Sequence, residues 1–209
     1  PQPGTTGASV AESGIVVDLH RMVTEPRINT DTKTVTVSAS MRLGDLQRLL
    51  WEQGFDLPPD PTSWMECTIG GAVATNASGP STFRYGPMSN FLEGISLVDG
   101  TGNVRRIQKS KVDKSAMGPV ALQNPLSWFA GSEGLLGILV DVDLRIVERS
   151  AHQGAVFVGF NDDSSLFEGV SQLRELAQSF KIRAIEWLDG EACNLIRAKA
   201  GRLKIPNSS

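Results

Sequence analysis

One segment, residues 60–86, restricts how this 209-residue chain can fold more than any other part of its sequence. It reads D-P-T-S-W-M-E-C-T-I-G-G-A-V-A-T-N-A-S-G-P-S-T-F-R-Y-G, with almost no bulky side chain in its central part, residues 68–80. Because glycine lacks a Cβ, another group can approach this backbone closely. In addition, Gly70-Gly71 before a run of small residues can begin a helix whose first N–H groups attract a phosphate. The segment therefore predicts a site for a pyrophosphate-bearing cofactor.

The same glycines have a second interpretation. Gly70, Gly71 and Gly79 can mark turns, and the small residues between them can let two elements pack tightly against each other. Short glycine motifs recur by chance. The segment alone leaves both interpretations open.

Composition indicates a globular chain without a basic surface. Hydrophobic residues make up 40% of the sequence and the formal net charge is −3, which predicts a buried core and no nucleic-acid partner. The apolar runs are short and interrupted by glycine or charge, so we expect neither a membrane span nor a signal peptide. The expected location is the cytoplasm, or an organelle matrix if an N-terminal address has been lost.

The cysteines and histidines do not form a metal-ligand pattern. Cys67 and Cys193 lie far apart without C-x-x-C spacing, and His20 and His152 are too few for a metal cluster. Cys67, just before the Gly-Gly pair, is interpreted as a small buried thiol, with a place near a cofactor as the alternative. No metal site is predicted.

Hydrophobic periodicity predicts mixed helices and strands. We expect strands at residues 14–18 and 34–39, a helix bearing a leucine stripe that ends near Gly54, and a hairpin of residues 92–98 and 104–107. Residues 138–147 alternate apolar and charged side chains, which is typical of an edge or half-exposed strand.

The composition changes near residue 150, where a second unit is predicted to begin. Residues 155–160 and 182–188 are predicted strands, and a helix capped by Ser164 or Ser165 is predicted between them. A further helix is expected over residues 190–200.

Residues 60–86 resemble the second flavin-contacting segment of the FAD-linked oxidases of the vanillyl-alcohol oxidase superfamily. The resemblance is to the branch of glycolate oxidase, D-lactate dehydrogenase and D-2-hydroxyglutarate dehydrogenase. P-Q-P-G-T-T-G at residues 1–7 resembles the first pyrophosphate loop, and G-I-V-V-D-L-H-R-M at residues 14–22 resembles the strand that follows it. W-F-A-G-S-E-G-L-L-G-I-L-V-D-V-D-L-R-I at residues 128–146 resembles the third signature, in which a glycine turn leads into a strand beside the flavin.

This resemblance implies an α+β fold. Residues 1–148 would form a two-subdomain FAD-binding domain of the vanillyl-alcohol oxidase type, without its usual N-terminal βαβ element. Residues 149–209 would begin a ferredoxin-like substrate or cap domain, and A-I-E-W-L-D at residues 184–189 resembles the A-x-E-x-x-D pattern of that domain. The family's catalytic histidine and acidic residues would lie beyond residue 209, so no catalytic residue is assigned and the chain is expected to be inactive alone.

The resemblance also implies which residues bind FAD. In the first loop and the second segment they are Gly4, Thr5, Thr6, Gly7, Thr62, Ser63, Thr68, Ile69, Gly70, Gly71, Thr75 and Asn76. Nearer the flavin ring and in the third signature they are Ser78, Gly79, Tyr85, Gly86, Glu133, Gly134, Gly137 and Ile138.

Three of the polar residues have alternative roles. Tyr85 can be a core aromatic whose hydroxyl finds a partner, and Glu133 can accept hydrogen bonds from local backbone N–H groups. Arg84 can bind a phosphate or a substrate carboxylate, or pair with Glu93.

The first loop departs from the family pattern. Pro3 stands where relatives usually carry glycine, and the glycine-rich run is shorter. Because proline has no N–H group, this loop is expected to bind the pyrophosphate less tightly. No histidine precedes His20, so the flavin is expected to be non-covalent.

Three functions remain open at this point. The first is the FAD-binding part of an oxidoreductase that oxidises a small 2-hydroxy acid by hydride transfer to flavin, with a homodimer or a partner subunit as candidate assemblies. The second is a non-catalytic scaffold that has lost FAD. The third is a fragment of an enzyme like alkyl-dihydroxyacetone-phosphate synthase.

Overall fold

The computed structural model describes residues 13–109 and 124–199. The chain divides into two compact units between Arg149 and Ser150. Helices and strands are mixed, in agreement with the predicted α+β class.

A five-stranded antiparallel sheet forms the centre of the first unit. In chain order its strands are β1 (Arg27–Asn29), β2 (Thr34–Ser38), β4 (Leu92–Val98), β5 (Val104–Gln108) and β6 (Ile138–Arg145). Their order across the sheet is β1-β2-β6-β4-β5. A separate pair joins β3 (Phe55–Asp56) to β7 (Val147–Glu148).

The predicted hairpin is confirmed in β4 and β5, which pair from Gly94 with Gln108 to Val98 with Val104. The Asp99 carboxylate accepts the N–H groups of Thr101 and Asn103, at 2.9 and 3.0 Å. An aspartate whose side chain accepts the main-chain N–H groups of residues that follow it closely in the sequence favours a tight turn.

Strand β6 lies in the middle of the sheet, between β2 and β4. Its predicted half-exposure is confirmed, because Val142 and Leu144 are fully buried while the acidic side chains alternating with them are not. The prediction of an edge position is wrong. Alternation shows which face of a strand is covered, whereas the number of neighbouring strands depends on chain topology.

Helix α1 (Leu43–Glu52) contacts β3 and contributes its apolar side chains to the core of the first unit. Its stripe of Leu43, Leu46 and Leu50 is fully buried, as the period of the leucines predicts. The chain leaves the helix through Gly54, whose φ of +77° is a left-handed conformation that glycine adopts without strain. Two short helices follow, α2 (Ile69–Ala74) and α3 (Thr82–Tyr85), and Ile69 of α2 also lies in the core.

The strand predicted at residues 14–18 does not form among the described residues. Ile15 and Val16 are 90% and 74% exposed, and no described strand pairs with them. Apolar β-branched residues favour a strand, but a strand also needs a partner for its N–H and C=O groups.

The second unit contains α4 (Asp163–Phe180) and α5 (Gly190–Lys199), so both predicted helices are confirmed. The N-cap of α4 is Asp162, whose carboxylate accepts the Ser165 N–H at 2.8 Å, rather than either predicted serine. Residues 155–160 and 182–188 form no strand in the described part of this unit, and Val156 is 87% exposed. None of the described helices is both long and apolar enough to span a membrane.

Candidate cofactor site

Three glycines of the predicted site are approached closely by the protein itself. A Cβ on Gly70 would lie 2.8 Å from the Ala39 Cβ, and one on Gly79 would overlap the Asp60 carbonyl oxygen. A Cβ on Gly137 would lie 2.6 Å from Leu97 Cδ1 and 2.7 Å from the Val98 oxygen. The packing interpretation is therefore confirmed for Gly70 and Gly79.

The first N–H groups of α2 are used inside the protein. Ile69 N–H donates to the Met41 carbonyl at 2.9 Å, and Gly70 N–H donates to the Ala39 carbonyl at 2.7 Å. Gly71 N–H donates to the Oγ1 of Thr68, the N-cap residue, at 3.2 Å. The prediction that this helix start offers N–H groups to a phosphate is wrong, because the turn after β2 and the Thr68 cap already satisfy them.

The other end of α2 joins the second predicted segment to the third. The last carbonyls of a helix have no partner within it. Here Gly131 N–H donates to the Val73 carbonyl at 3.0 Å, and Glu133 N–H donates to the Ala74 carbonyl at 2.9 Å. The G-S-E-G turn is therefore bound to the C-terminus of α2, so two segments about 60 positions apart lie side by side.

Left-handed residues shape this junction. Asn76 and Glu133 have φ of 46° and 51°, and Gly131 and Gly134 have φ of 82° and 85°. The Asn76 side chain accepts the Ser89 N–H at 2.9 Å, which fixes the exit from α2. A Cβ on Gly134 would meet none of the described residues within 4 Å, so this glycine is required by the φ of its turn and not by close packing against them.

An exposed surface of small residues results, which we call the small-residue surface. On α2 and just after it, Gly71, Thr75 and Ser78 are exposed, and on the adjoining turn Gly131 and Gly134 are exposed. The Thr75 hydroxyl donates to the Gly71 carbonyl at 2.9 Å, so it lies along the same side of the helix. None of these five residues carries a side chain larger than that of threonine.

The other predicted residues lie on several elements. Thr62 and Ser63 are on an exposed turn, in which the Ser63 carbonyl accepts the N–H groups of Glu66 and Cys67. Ile138 begins β6 and is 38% exposed. The first-loop residues Gly4, Thr5, Thr6 and Gly7 lie outside the described residues.

The structure distinguishes the alternatives for the polar residues. Tyr85 is half-buried and packs against the core, with the Arg84 guanidinium 5.5 Å from its ring centroid. Glu93 pairs with Lys109 at 3.1 Å, so the predicted Arg84–Glu93 pair is wrong. Gly86 follows with φ of 79°, and a side chain there would overlap Asn90.

Glu133 acts through its main chain. Its carboxylate is exposed and accepts none of the hydrogen bonds found among the described residues, so the predicted capture of local N–H groups is wrong. The residue instead donates its own N–H to α2, and its left-handed conformation turns the chain toward Gly134.

Asp60 begins the glycine-rich segment, and no role was predicted for it from the sequence. Its carboxylate accepts both the N–H and the O–H of Ser81, at 2.9 and 2.5 Å. The available signal was a carboxylate between Pro59 and Pro61, where the extended backbone makes few hydrogen bonds of its own and leaves the side chain to make them.

Cys67 is buried, and its burial raises the pKa of the thiol. Because the thiolate is the reactive form, we expect Cys67 in a Cys193→Ser variant to react with a disulfide reagent at least about tenfold more slowly when folded than in urea. A Cys67→Ser variant, which reports the half-exposed Cys193, is the control. Equal rates in the folded and unfolded protein would show that Cys67 is accessible.

Comparisons with known proteins identify the family of this chain. The sequence matches the FAD binding domain family over residues 3–108, slightly more than half of the chain. A D-2-hydroxyglutarate dehydrogenase from Xanthomonas citri is 33% identical over 189 residues, which covers 88% of this chain and 39% of the relative. A D-lactate dehydrogenase from Archaeoglobus fulgidus is 25% identical, over 90% of this chain and 40% of the relative.

A solved structure of alkyldihydroxyacetonephosphate synthase shares the fold, with a TM-score of 0.57 and 22% identity. The match covers 76% of this chain and 27% of that structure. The chain thus spans well under half the length of these curated relatives. On the family match over more than half of its residues, this chain belongs to the FAD-binding domains of the vanillyl-alcohol oxidase superfamily, and its cofactor is FAD.

Proposed function

We propose that this chain is the FAD-binding part of a flavin-dependent oxidoreductase that oxidises a small 2-hydroxy acid. The observation that carries the proposal is the junction of α2 with the G-S-E-G turn, which leaves the small-residue surface open beside it. D-lactate and D-2-hydroxyglutarate, for which the two sequence relatives are named, are both 2-hydroxy acids.

The residues of this surface fit FAD. Gly71 and Gly134 are both exposed, and among the described residues only the Thr68 hydroxyl would lie close to a Cβ on either, 3.0 Å from Gly71. The Ser78 hydroxyl beside them can donate to a ribityl or phosphate oxygen of such a molecule. The Thr75 hydroxyl, which donates to the Gly71 carbonyl, can accept from a ribityl hydroxyl. Because α2 offers no free N–H groups at its start, the pyrophosphate contacts are assigned to Gly4, Thr5, Thr6 and Gly7 of the first loop.

Bound FAD would supply a hydride acceptor for the α-carbon of the substrate. The part of this chain is to bind and orient the cofactor through the small-residue surface. The predicted contacts at Tyr85, Gly86, Gly137 and Ile138 belong to the same proposal. No catalytic residue is assigned, since no cluster of titratable groups lies on this surface in the described part of the chain.

The domain assignment follows from the same proposal. Residues 1–148 are the FAD-binding domain, and residues 149–209 begin the substrate or cap domain; the division of the structure after Arg149 supports this boundary. The cap domain would supply the catalytic groups, so this chain is proposed to be inactive alone. A cytoplasmic location is proposed from composition.

A titration of the purified chain with FAD, followed by flavin fluorescence and thermal melting, tests the proposal. FMN and ADP are compared in parallel. If FAD binds selectively, the melting midpoint rises with FAD concentration. At an FAD concentration of 100 times Kd, binding adds about 2.7 kcal/mol to the free energy of unfolding. An unchanged midpoint and unchanged fluorescence would contradict FAD binding by this chain.

A steric variant locates the site. Ser78 is exposed and makes none of the side-chain hydrogen bonds found among the described residues, so Ser78→Trp is expected to fold and to weaken FAD binding at least about tenfold. Ser171→Trp adds the same side chain on the exposed side of α4 and is the matched control. If both variants weaken FAD binding equally, or if neither weakens it, the small-residue surface is not the FAD site.

Two further measurements address the chemistry. Acid precipitation is expected to release all of the flavin into solution, because the first loop, residues 1–7, contains no histidine to form a covalent link. Dithionite is expected to bleach the bound flavin, while D-lactate and D-2-hydroxyglutarate leave it oxidised. Bleaching by either acid would overturn the inactivity of this chain and support the substrate class.

A further inference from the structure

Asp60 closes the loop that carries α2 and Ser78. Its Oδ1 accepts the Ser81 N–H at 2.9 Å and its Oδ2 accepts the Ser81 hydroxyl at 2.5 Å. Ser81 follows 21 positions later and is 1% exposed. The two hydrogen bonds therefore join the beginning and end of the loop that carries α2.

The main chain is held at the same point. Gly79 lies against the Asp60 carbonyl so closely that a Cβ would overlap it. Gly79 N–H donates to Thr82 Oγ1 at 2.9 Å, and Thr82 N–H donates back to the Gly79 carbonyl at 2.9 Å. The return turn is thus rigid, and Asp60 fixes where it lies.

What Asp60 holds is the connection between α2 and α3. The Ser81 carbonyl accepts the N–H groups of Arg84 and Tyr85 and so starts α3. Ser78 lies three positions before Ser81, on the small-residue surface. Movement of Ser81 would therefore displace the exit from α2 on one side and Tyr85 on the other.

We propose that Asp60 is a positioning residue for FAD, acting through Ser81, an inference that rests on the proposed function. Hydrogen bonds to a carboxylate are roughly twice as strong as neutral ones. Closing the loop before the cofactor arrives removes the entropy cost of ordering it on binding. The expected consequence is that loss of this carboxylate lowers FAD affinity by more than its effect on folding explains.

The test compares FAD dissociation constants of the wild-type chain, Asp60→Ala, Asp60→Asn and Ser81→Ala, at a temperature where each is fully folded. Asp60→Ala removes both hydrogen bonds and is expected to raise Kd at least about tenfold. In Asp60→Asn the amide oxygen can still accept the Ser81 N–H, and Ser81 Oγ can accept from the new NH₂. We therefore expect Asn to rescue most of the affinity.

A double variant tests whether the effect passes through Ser81. Asp60→Ala and Ser81→Ala combined should weaken binding no more than Asp60→Ala alone, because both remove the same contact. If Asp60→Ala does not fold, the Asn and Ser81 variants decide: an affinity loss in Ser81→Ala supports the proposal, and unchanged affinity in both overturns it.

Leu50→Ala is the stability control, because it opens a cavity under α1 without touching the loop closure. It should lower the melting temperature and leave Kd within about twofold of wild type. Equal loss of affinity in Leu50→Ala and Asp60→Ala would reduce Asp60 to a general stabilising role. No FAD binding by the wild-type chain would overturn the proposed function itself, whereas normal wild-type binding with unchanged variants overturns only the role of Asp60.

Discussion

Replacing Gly137 by alanine is expected to destabilise the first unit by about 3 kcal/mol. Gly137 has φ of 141°, a backbone conformation that residues with a side chain rarely adopt. An added Cβ would lie 2.7 Å from the Val98 carbonyl oxygen. Backbone strain and overpacking each cost about 1–3 kcal/mol. Because Val98 belongs to strand β4, the main chain cannot move aside without disturbing the pairing of β4 with β6.

Urea unfolding followed by tryptophan fluorescence measures this loss. Trp187 is the tryptophan of the second unit, and a Trp187→Phe background restricts the signal to the first unit. Gly100→Ala is the control, because a Cβ there would meet no atom of the described residues within 4 Å, and it should change stability by less than about 0.5 kcal/mol. Similar stabilities for Gly137→Ala and Gly100→Ala would contradict the close approach to Val98.

Replacing Gln47 by alanine is expected to cost the first unit about 3 kcal/mol of its free energy of unfolding. Gln47 is only 4% exposed, and its amide makes two hydrogen bonds to the main chain of Leu57. Its Nε2 donates to the Leu57 carbonyl at 2.7 Å, and the Leu57 N–H donates to Gln47 Oε1 at 3.1 Å. Alanine would leave both Leu57 groups buried without a partner, at about 1–3 kcal/mol each.

Arg48→Ala is the neighbouring control in the same helix. Arg48 is exposed, and its ion pair among the described residues is with Asp45 at 2.9 Å, so its loss should cost less than about 0.5 kcal/mol. The same urea experiment compares the two variants. A Gln47→Ala protein as stable as Arg48→Ala would mean that water or a local shift satisfies Leu57.

The elements recovered from sequence are those whose side chains repeat with a clear period. The leucine stripe of α1, the alternation of β2 and the D-G-T-G turn of the hairpin each reflect short-range burial or turn chemistry. The run at residues 14–18 carried the same apolar signal without a partner strand, and the prediction failed there. Periodicity indicates which face of an element is buried, whereas strand pairing depends on whether another strand lies along its edge.

The predicted site shows the same limit. Motif order placed the Gly-Gly segment and the G-S-E-G turn in one cofactor site, and the bonds from Gly131 and Glu133 to the end of α2 bring these segments together. The sequence could not show that Ala39 and Met41 use the first N–H groups of α2, because those contacts cross about 30 residues of chain.

By itself, the sequence determined the class of fold, the family, the cofactor, and the elements whose burial pattern is local. Only the tertiary structure decided which glycines pack against other described residues and which do not, that β6 is the central strand, and that Asp60 closes the loop onto Ser81. The physical reason is that a side chain's tendency to be buried is encoded in its neighbours along the chain. The partner of a particular N–H group or carboxylate depends instead on where distant parts of the chain return.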